Sequence, residues 1–327
     1  MAEPFSPPKW NTFIIPVILT SNIDICLERL YKYTEKNSFY VFLIDMTVNG
    51  LDATMLRNKY ENLMVIRTPK SNLYHTGNLG FAKATNLGIQ LVQTPYFTML
   101  NDDAEMVHRN WWQGVLDTFE DVEKSTPDSP AVIVCLASIR LADWRVGRED
   151  GDDFDILPYK EEYTDEDWNF LVNEDHYINE HLTIQPGSVF DGVTMYACVC
   201  DTRKFLEVGL LDEHYYVGSG EDYDWSCLSR MYGYRCVSTT KSWVFHHWSS
   251  TFRALRDEKE DVKSLQIPEL NWNQNHEKWG PRFDIWGIRC SKDNCNEIMM
   301  TKDGKIAICP IHSDETYEMP ESTFRPL

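Results

Sequence analysis

Basic residues, long apolar runs and glycosylation sequons are all scarce in this chain, and each shortage closes off a class of function. Lys and Arg number 31 against 51 Asp and Glu, giving a formal net charge of −20 over 327 residues. Nucleic acid is gripped through its phosphates by a basic face, so it is not an expected partner, although a local basic groove is compatible with the total. Nothing in the chain approaches the roughly 18 consecutive apolar residues of a membrane span. Met1 to Pro8 is short, proline-rich and acid-containing, the wrong chemistry for a secretory leader. No Asn-x-Ser/Thr sequon occurs, and the expectation is a cytoplasmic protein. Cysteines are nine, an odd number scattered over a long chain, the pattern of free thiols in a reducing compartment.

What is present is a core-forming chain. Hydrophobic residues make up 43%, enough for one large core or two smaller ones. Phe13 to Leu19, Tyr40 to Ile44, Leu63 to Ile66 and Tyr96 to Leu100 read as buried strands. The first ends at the capping cluster Thr20-Ser21-Asn22, after which Ile23, Leu27 and Leu30 fall at helical spacing through Tyr33. Gly80 to Val92 and Trp111 to about Glu123 read as helices, and Ala131 to Ala137 and Val193 to Cys200 as strands. Asp201 to Val208 is a capped helix ending near Gly209, and Asp222 to Tyr232 a helix with Gly233 at its C-terminus. Alternating strands and helices predict an α/β fold, a Rossmann-like and mainly parallel sheet flanked by helices. The acidic stretch Arg148 to Asp175 reads as a solvated insertion, with an active-site lid as the sharper alternative. From about Thr251 the pattern is less regular, as in an appendage.

In sheets of this kind ligands sit beyond the carboxyl ends of the strands, and Asn22, Asp45 and Asp102-Asp103 all fall there. An apolar strand ending in adjacent carboxylates can hold a divalent cation, and such a cation grips a nucleotide diphosphate. The bland alternative for Asp102-Asp103 is a solvated turn.

Three segments then belong together: Asn78-Leu79-Gly80-Phe81-Ala82-Lys83-Ala84-Thr85-Asn86-Leu87-Gly88 with Asn101-Asp102-Asp103; Gly209-Leu210-Leu211-Asp212-Glu213 leading to Glu221-Asp222-Tyr223-Asp224-Trp225; and Val244-Phe245-His246-His247. With Lys278-Trp279-Gly280 they follow the order of motifs in the family 2 glycosyltransferases, inverting enzymes of the GT-A fold, which the chain resembles over about residues 13 to 280. The resemblance implies a metal-dependent transfer from a nucleoside-diphosphate sugar, UDP-linked in the leading reading, to a hydroxyl on a glycan, protein or small molecule. Asp103 and Asp102 would hold Mn²⁺ or Mg²⁺, with His246, or else His247, completing the shell. Asp222 would be the base that accepts the acceptor's proton, with Glu221 as the alternative, and Asp224 would be structural. Asp45, Thr20 and Asn22 would meet the nucleoside, Lys83 a phosphate, Gly80 would allow close backbone approach, and Gly192 would face the sugar. One departure is Asp45-Met46-Thr47-Val48-Asn49-Gly50, where the family usually continues Asp-(Asn/Asp)-x-Ser.

The resemblance divides the chain into a GT-A catalytic domain over 1–255, with a nucleotide half at 10–110 and an acceptor half at 111–255, and a C-terminal extension over 256–327. In that extension Cys290-x4-Cys295 and Cys309-x2-His312 flank an Asp303-Gly304 turn, a spacing that reads as a structural zinc knuckle or as unrelated free thiols. Two other functions fit the strand-end carboxylates: a catalytically inactive binding or scaffold protein of the same fold, and a nucleotidyltransferase. The latter needs a basic triphosphate loop, which Thr20-Ser21-Asn22 does not offer.

Overall fold

The computed structural model describes residues 9–69, 78–141, 154–173, 194–215, 218–247 and 267–279, with short pieces at 283–284, 287–288, 292, 306–309, 312 and 316–318. Its centre is an eight-stranded sheet in the order β3-β2-β1-β4-β9-β6-β10-β5. These strands are β1 (Asn11–Val17), β2 (Phe39–Asp45), β3 (Leu63–Arg67), β4 (Tyr96–Leu100), β5 (Ala104–Met106), β6 (Ala131–Ser138), β9 (Ala197–Asp201) and β10 (Arg235–His246). Two-residue strands β7 (Arg140–Leu141) and β8 (Phe154–Asp155) pair with each other beside it.

Every residue of β1 is buried, as expected of a strand covered on both faces. Its neighbours β2 and β4 both run parallel to it. The chain therefore builds outward to β3 on one side, then returns to the other side for β4. Such a reversal opens a crevice outside the carboxyl ends of the two central strands.

The mainly parallel sheet expected from the sequence is corrected to a mixed one. Four ladders are parallel and three are antiparallel. Strand β9 runs against both β4 and β6, and β5 runs against β10. Apolar runs report burial and not direction, so β9 looked like any other strand. The short β5 must reverse, because only the turn Asn101 to Asp103 separates it from β4. The consequence is functional: the ends of β1, β2, β4 and β10 and the starts of β5 and β9 all meet along one sheet edge.

The helices are α1 (Ile23–Tyr33), α2 (Ala53–Lys59), α3 (Phe81–Ile89), α4 (Trp111–Ser125), α5 (Asp165–Val172), α6 (Thr202–Val208), α7 (Glu221–Met231) and α8 (Ile267–Trp279). Asp201 caps α6 by accepting the Lys204 N–H. Asn22 stands at the start of α1 but makes no side-chain capping bond. The acidic stretch is structured over its described part: Thr164 and Asp167 form a reciprocal capping box on α5. Helix α8 lies in the region read as an irregular appendage, yet Trp279 is fully buried in the main core. Beyond it the described pieces form two short hairpins, β11 (Phe283–Asp284) with β12 (Gly287–Ile288) and β13 (Ile306–Ile308) with β14 (Thr316–Glu318). The Asp303-Gly304 turn lies outside the described residues. Among the described residues no helix is long and apolar enough to cross a membrane.

Two helices approach the sheet only because a side chain is missing. A Cβ on Gly88 of α3 would lie 2.5 Å from Cγ2 of Ile14, and one on Gly114 of α4 would lie 2.0 Å from the Lys241 carbonyl oxygen. Overpacking costs about 1–3 kcal/mol, offset by about 1 kcal/mol of alanine's better helix propensity. Gly88→Ala is therefore expected to destabilise modestly in urea unfolding. Gly114→Ala, which meets backbone, is expected to cost more, and the reverse ranking would contradict this packing.

Candidate active site

Asp102 and Asp103 occupy the turn from β4 into β5, and His246 ends β10 directly opposite Ala104. All three are buried, with 6%, 5% and 3% exposure. The Nε2 of His246 lies 3.1 Å from Oδ1 of Asp103. The imidazole stacks on the ring of Tyr196, centroids 4.6 Å apart and planes 15° apart. Tyr196 is itself fixed, because its hydroxyl donates to the Leu136 carbonyl at 2.6 Å and its own carbonyl accepts the Asn101 N–H at 2.8 Å. His247 turns elsewhere: its Nε2 sits 2.7 Å from Oε1 of Glu105, while its N–H donates to the Asp103 carbonyl at 3.0 Å. The structure thus separates the two histidines, which the sequence left as alternatives.

Burial, and then the charge of Asp103, push the Asp102 carboxyl up to about 8, against a backbone hydrogen bond from Ile18. Its Oδ2 is buried with no hydrogen-bond partner among the described residues. Cys26 of α1 sits behind the turn with Sγ 3.8 Å from the Asn101 carbonyl. Burial raises its thiol far above the ordinary range, and the charges of Asp102, Glu105 and Asp103 add to that. It is an inert core thiol, not a nucleophile.

The second cluster opens α7. Gly220, at φ +103°, supplies the left-handed turn before Glu221 and Asp222. Asp222 Oδ1 accepts the N–H groups of Tyr223 at 2.9 Å and Gly220 at 3.3 Å. Glu221 is buried, and burial followed by the charge of Asp222 raises it to about 8. Its Oε2 has no hydrogen-bond partner among the described residues.

Helix α8 clamps this turn. Asn271 donates to the carbonyls of Gly218 and Ser219 at 3.1 and 2.8 Å, and Asn275 donates to that of Gly220 at 3.1 Å. Lys278 Nζ reaches Asp224 at 2.7 Å and Asp212 at 3.0 Å, and Trp279 Nε1 donates to Asp224 at 2.9 Å. Burial opposes the charge on Asp212, but Lys278 and bonds from His214 hold its carboxyl well below the usual range. The Lys-Trp pair of the sequence is therefore the lock for Asp224.

The glycine-bearing segment joins the same edge. Gly80, at φ +83°, starts α3, and its N–H donates to Oδ1 of Asn78 at 2.8 Å. Asn86 reads the Leu210-Leu211 turn like a backbone partner, donating to the Leu211 carbonyl at 2.9 Å and accepting its N–H at 3.0 Å. Lys83 and Thr20 are exposed and Asn22 half-buried. Asp45 is saturated: Oδ1 accepts Thr47 N and Oγ1, and Oδ2 accepts Leu51 N at 2.8 Å and Arg67 Nη1 at 2.7 Å. These bonds outweigh burial and lower its carboxyl. Gly192, Cys290 and Cys295 lie outside the described residues. His312 donates its N–H to Sγ of Cys309 at 3.3 Å, with Nδ1 3.8 Å from the same sulfur.

Three residues at this edge escaped sequence reasoning: Glu105, Arg29 and Tyr196. Glu105 was open to detection, since it is a carboxylate only two places after Asp103 in an otherwise apolar strand.

Among the described residues no group of three or more His, Cys, Asp or Glu is gathered to hold a metal ion by itself. No family model matches the chain, and no curated protein matches it in sequence. Solved structures do resemble it. Residues 1–349 of S. aureus TarS match with 14% identity and a TM-score of 0.46, covering 82% of this chain and 72% of that one. A mannosyltransferase from Pyrobaculum calidifontis, in complex with GDP-Man and Mn²⁺, matches at 12% and 0.47, covering 82% and 65%. GalNAc-T7 with UDP, GalNAc and Mn²⁺ matches at 12% and 0.48, covering 83% and 55%. Likeness at this level concerns the course of the chain and carries no weight for what this protein binds.

Two outcomes follow from the electrostatics. Asp102 is raised in the folded state from 3.8 to about 8. The folded protein therefore holds this proton more tightly than the unfolded chain, and the stability it confers is lost as pH climbs through that window. Asp102→Asn should be flatter than wild type in urea unfolding between pH 5 and 8, and identical slopes would remove the buried-acid assignment. Asp224→Ala leaves Lys278, only 9% exposed, without one of its two carboxylates. Breaking a buried pair costs about 3–5 kcal/mol, and calorimetry should show a loss near the lower end because Asp212 remains.

Proposed function

We propose that this chain is a metal-dependent, inverting glycosyltransferase that moves a sugar from a UDP-linked donor to a hydroxyl on a glycan, protein or small-molecule acceptor in the cytoplasm. The observation that carries this reading is the buried Asp103–His246 pair beside an Asp102 oxygen that has no hydrogen-bond partner among the described residues. That donor set, carboxylate oxygen with one imidazole, suits Mn²⁺ better than Mg²⁺. It is too small to cage an ion alone, and it fits an ion that takes its other ligands from phosphate and water. Bound there, the ion would neutralise charge growing on the departing diphosphate.

The chain's own residues divide the remaining work. Asp102, Asp103 and His246 orient the diphosphate end of the donor. At the other cluster Glu221 keeps its own proton near neutrality, so Asp222 is assigned the proton transfer. As the acceptor oxygen bonds to the anomeric carbon, the bond from that carbon to the diphosphate oxygen breaks. The hydroxyl proton passes to Asp222, and attack from the face opposite the leaving group inverts the configuration. Thr20 and Asn22 are assigned to the nucleoside, Lys83 to phosphate and Gly192 to the sugar, with Gly80 allowing close approach. Asp45, already saturated, would shape the nucleoside end and leave the outward contact to Arg67, whose side chain is 38% exposed.

UDP with Mn²⁺ should raise the melting temperature by several degrees, and neither alone should match it. Asp103→Asn should lose that shift. Asp222→Asn should keep it while transfer falls by about 10²–10⁴-fold. No shift in the wild type would sink the donor assignment, and unchanged transfer in Asp222→Asn would sink the base.

A further inference from the structure

Glu105, at 2% exposure, is more deeply buried than Asp102, Asp103 or His246, and the mechanism above does not use it. Three elements converge on its carboxylate. Arg29 of α1 brings Nε to 3.3 Å from Oε2, and His247 brings Nε2 to 2.7 Å from Oε1. Tyr159, from the acidic segment, brings its hydroxyl to 3.3 and 3.2 Å. Arg29 also donates to the carbonyls of Lys160 and Glu161, so the same guanidinium ties that segment to the hub.

Register decides what the hub can do. Glu105 stands opposite Phe245, and His246 stands opposite Ala104. Neighbouring positions on a strand point to opposite faces, so Glu105 does not reach His246 directly. It holds the residue after it. His247 is pinned by its ring to Glu105 and by its N–H to the carbonyl of Asp103. His246 is thereby fixed between a laddered residue and a doubly bonded one. Groups that orient a metal ligand from behind are worth about 10–100-fold in affinity.

We propose that Glu105 and His247 are positioning residues that set the Asp103–His246 pair for a divalent cation, with Arg29 and Tyr159 holding Glu105 in place. This inference rests on the metal reading given above. Glu105→Ala is a poor probe, because it strands the buried Arg29 charge and endangers the fold. His247 is the better one, its side chain being 33% exposed. Mn²⁺ binding to the full chain in the presence of UDP is measured from the free-ion electron paramagnetic resonance signal, alongside the melting temperature without metal.

His247→Ala should weaken Mn²⁺ binding by about tenfold or more while the metal-free melting temperature stays close to wild type. His247→Gln, which can still donate to Glu105, should recover most of the loss. Wild-type affinity in the alanine variant overturns the positioning role. Equal loss in both variants overturns it too, since the imidazole itself would then be the ligand. A collapse of the metal-free melting temperature makes the role structural and also counts against it. A wild type that binds no Mn²⁺ with UDP takes down the metal reading first and this inference with it.

Discussion

Placing negative charge inside a protein that already carries an excess of it is the constraint around which this edge of the sheet is built. Five carboxylates, Asp102, Asp103, Glu105, Glu221 and Asp222, are all buried there. Two unit charges about 4 Å apart interact by about 4 kcal/mol at the effective dielectric of a protein surface, so so many like charges cannot stand unattended. The fold answers them in several ways. Glu105 has a guanidinium, an imidazole and a phenol. Asp103 has the imidazole of His246, and Asp222 has backbone N–H groups. Asp102 and Glu221 have no charged partner of opposite sign among the described residues and are raised to about 8.

The same contrast explains how much could be read before the structure. Strands β1 to β4 were legible because their apolar runs are short, dense and bounded by turn residues. Asp103 and His246 were legible as a pair only through the resemblance, since 143 positions separate them. Asp45 was misweighted. It stands at a strand end as anticipated, but Thr47, Leu51 and Arg67 take up both oxygens, and no local pattern announces an arginine arriving 22 residues later. The direction of β9 was hidden because burial is the same in either sense. Helix α8 was hidden for another reason: its contribution is polar. Asn271, Asn275 and Lys278 act on carbonyls and carboxylates of a distant turn, so the helix has little of the apolar periodicity that marks an ordinary core helix.

Helix α8 and the acidic segment act on the site from separate elements with the same chemistry. In both places polar side chains take hold of backbone carbonyls: Asn271 and Asn275 of α8 hold residues 218–220, and Arg29 of α1 holds residues 160 and 161 of the acidic segment. Carbonyls held this way cannot rotate without breaking several bonds at once, so the side chains they carry keep one orientation. That matters most for Glu221 and Asp222, which follow a glycine at φ +103° and would otherwise sit on a hinge. Glycine is favoured there by its φ of +103°, and a Cβ would also come to 3.0 Å from Nδ2 of Asn275, one of the groups that clamps the turn. The orientation of this turn is thus set by contacts remote in sequence, from α8 more than fifty residues away.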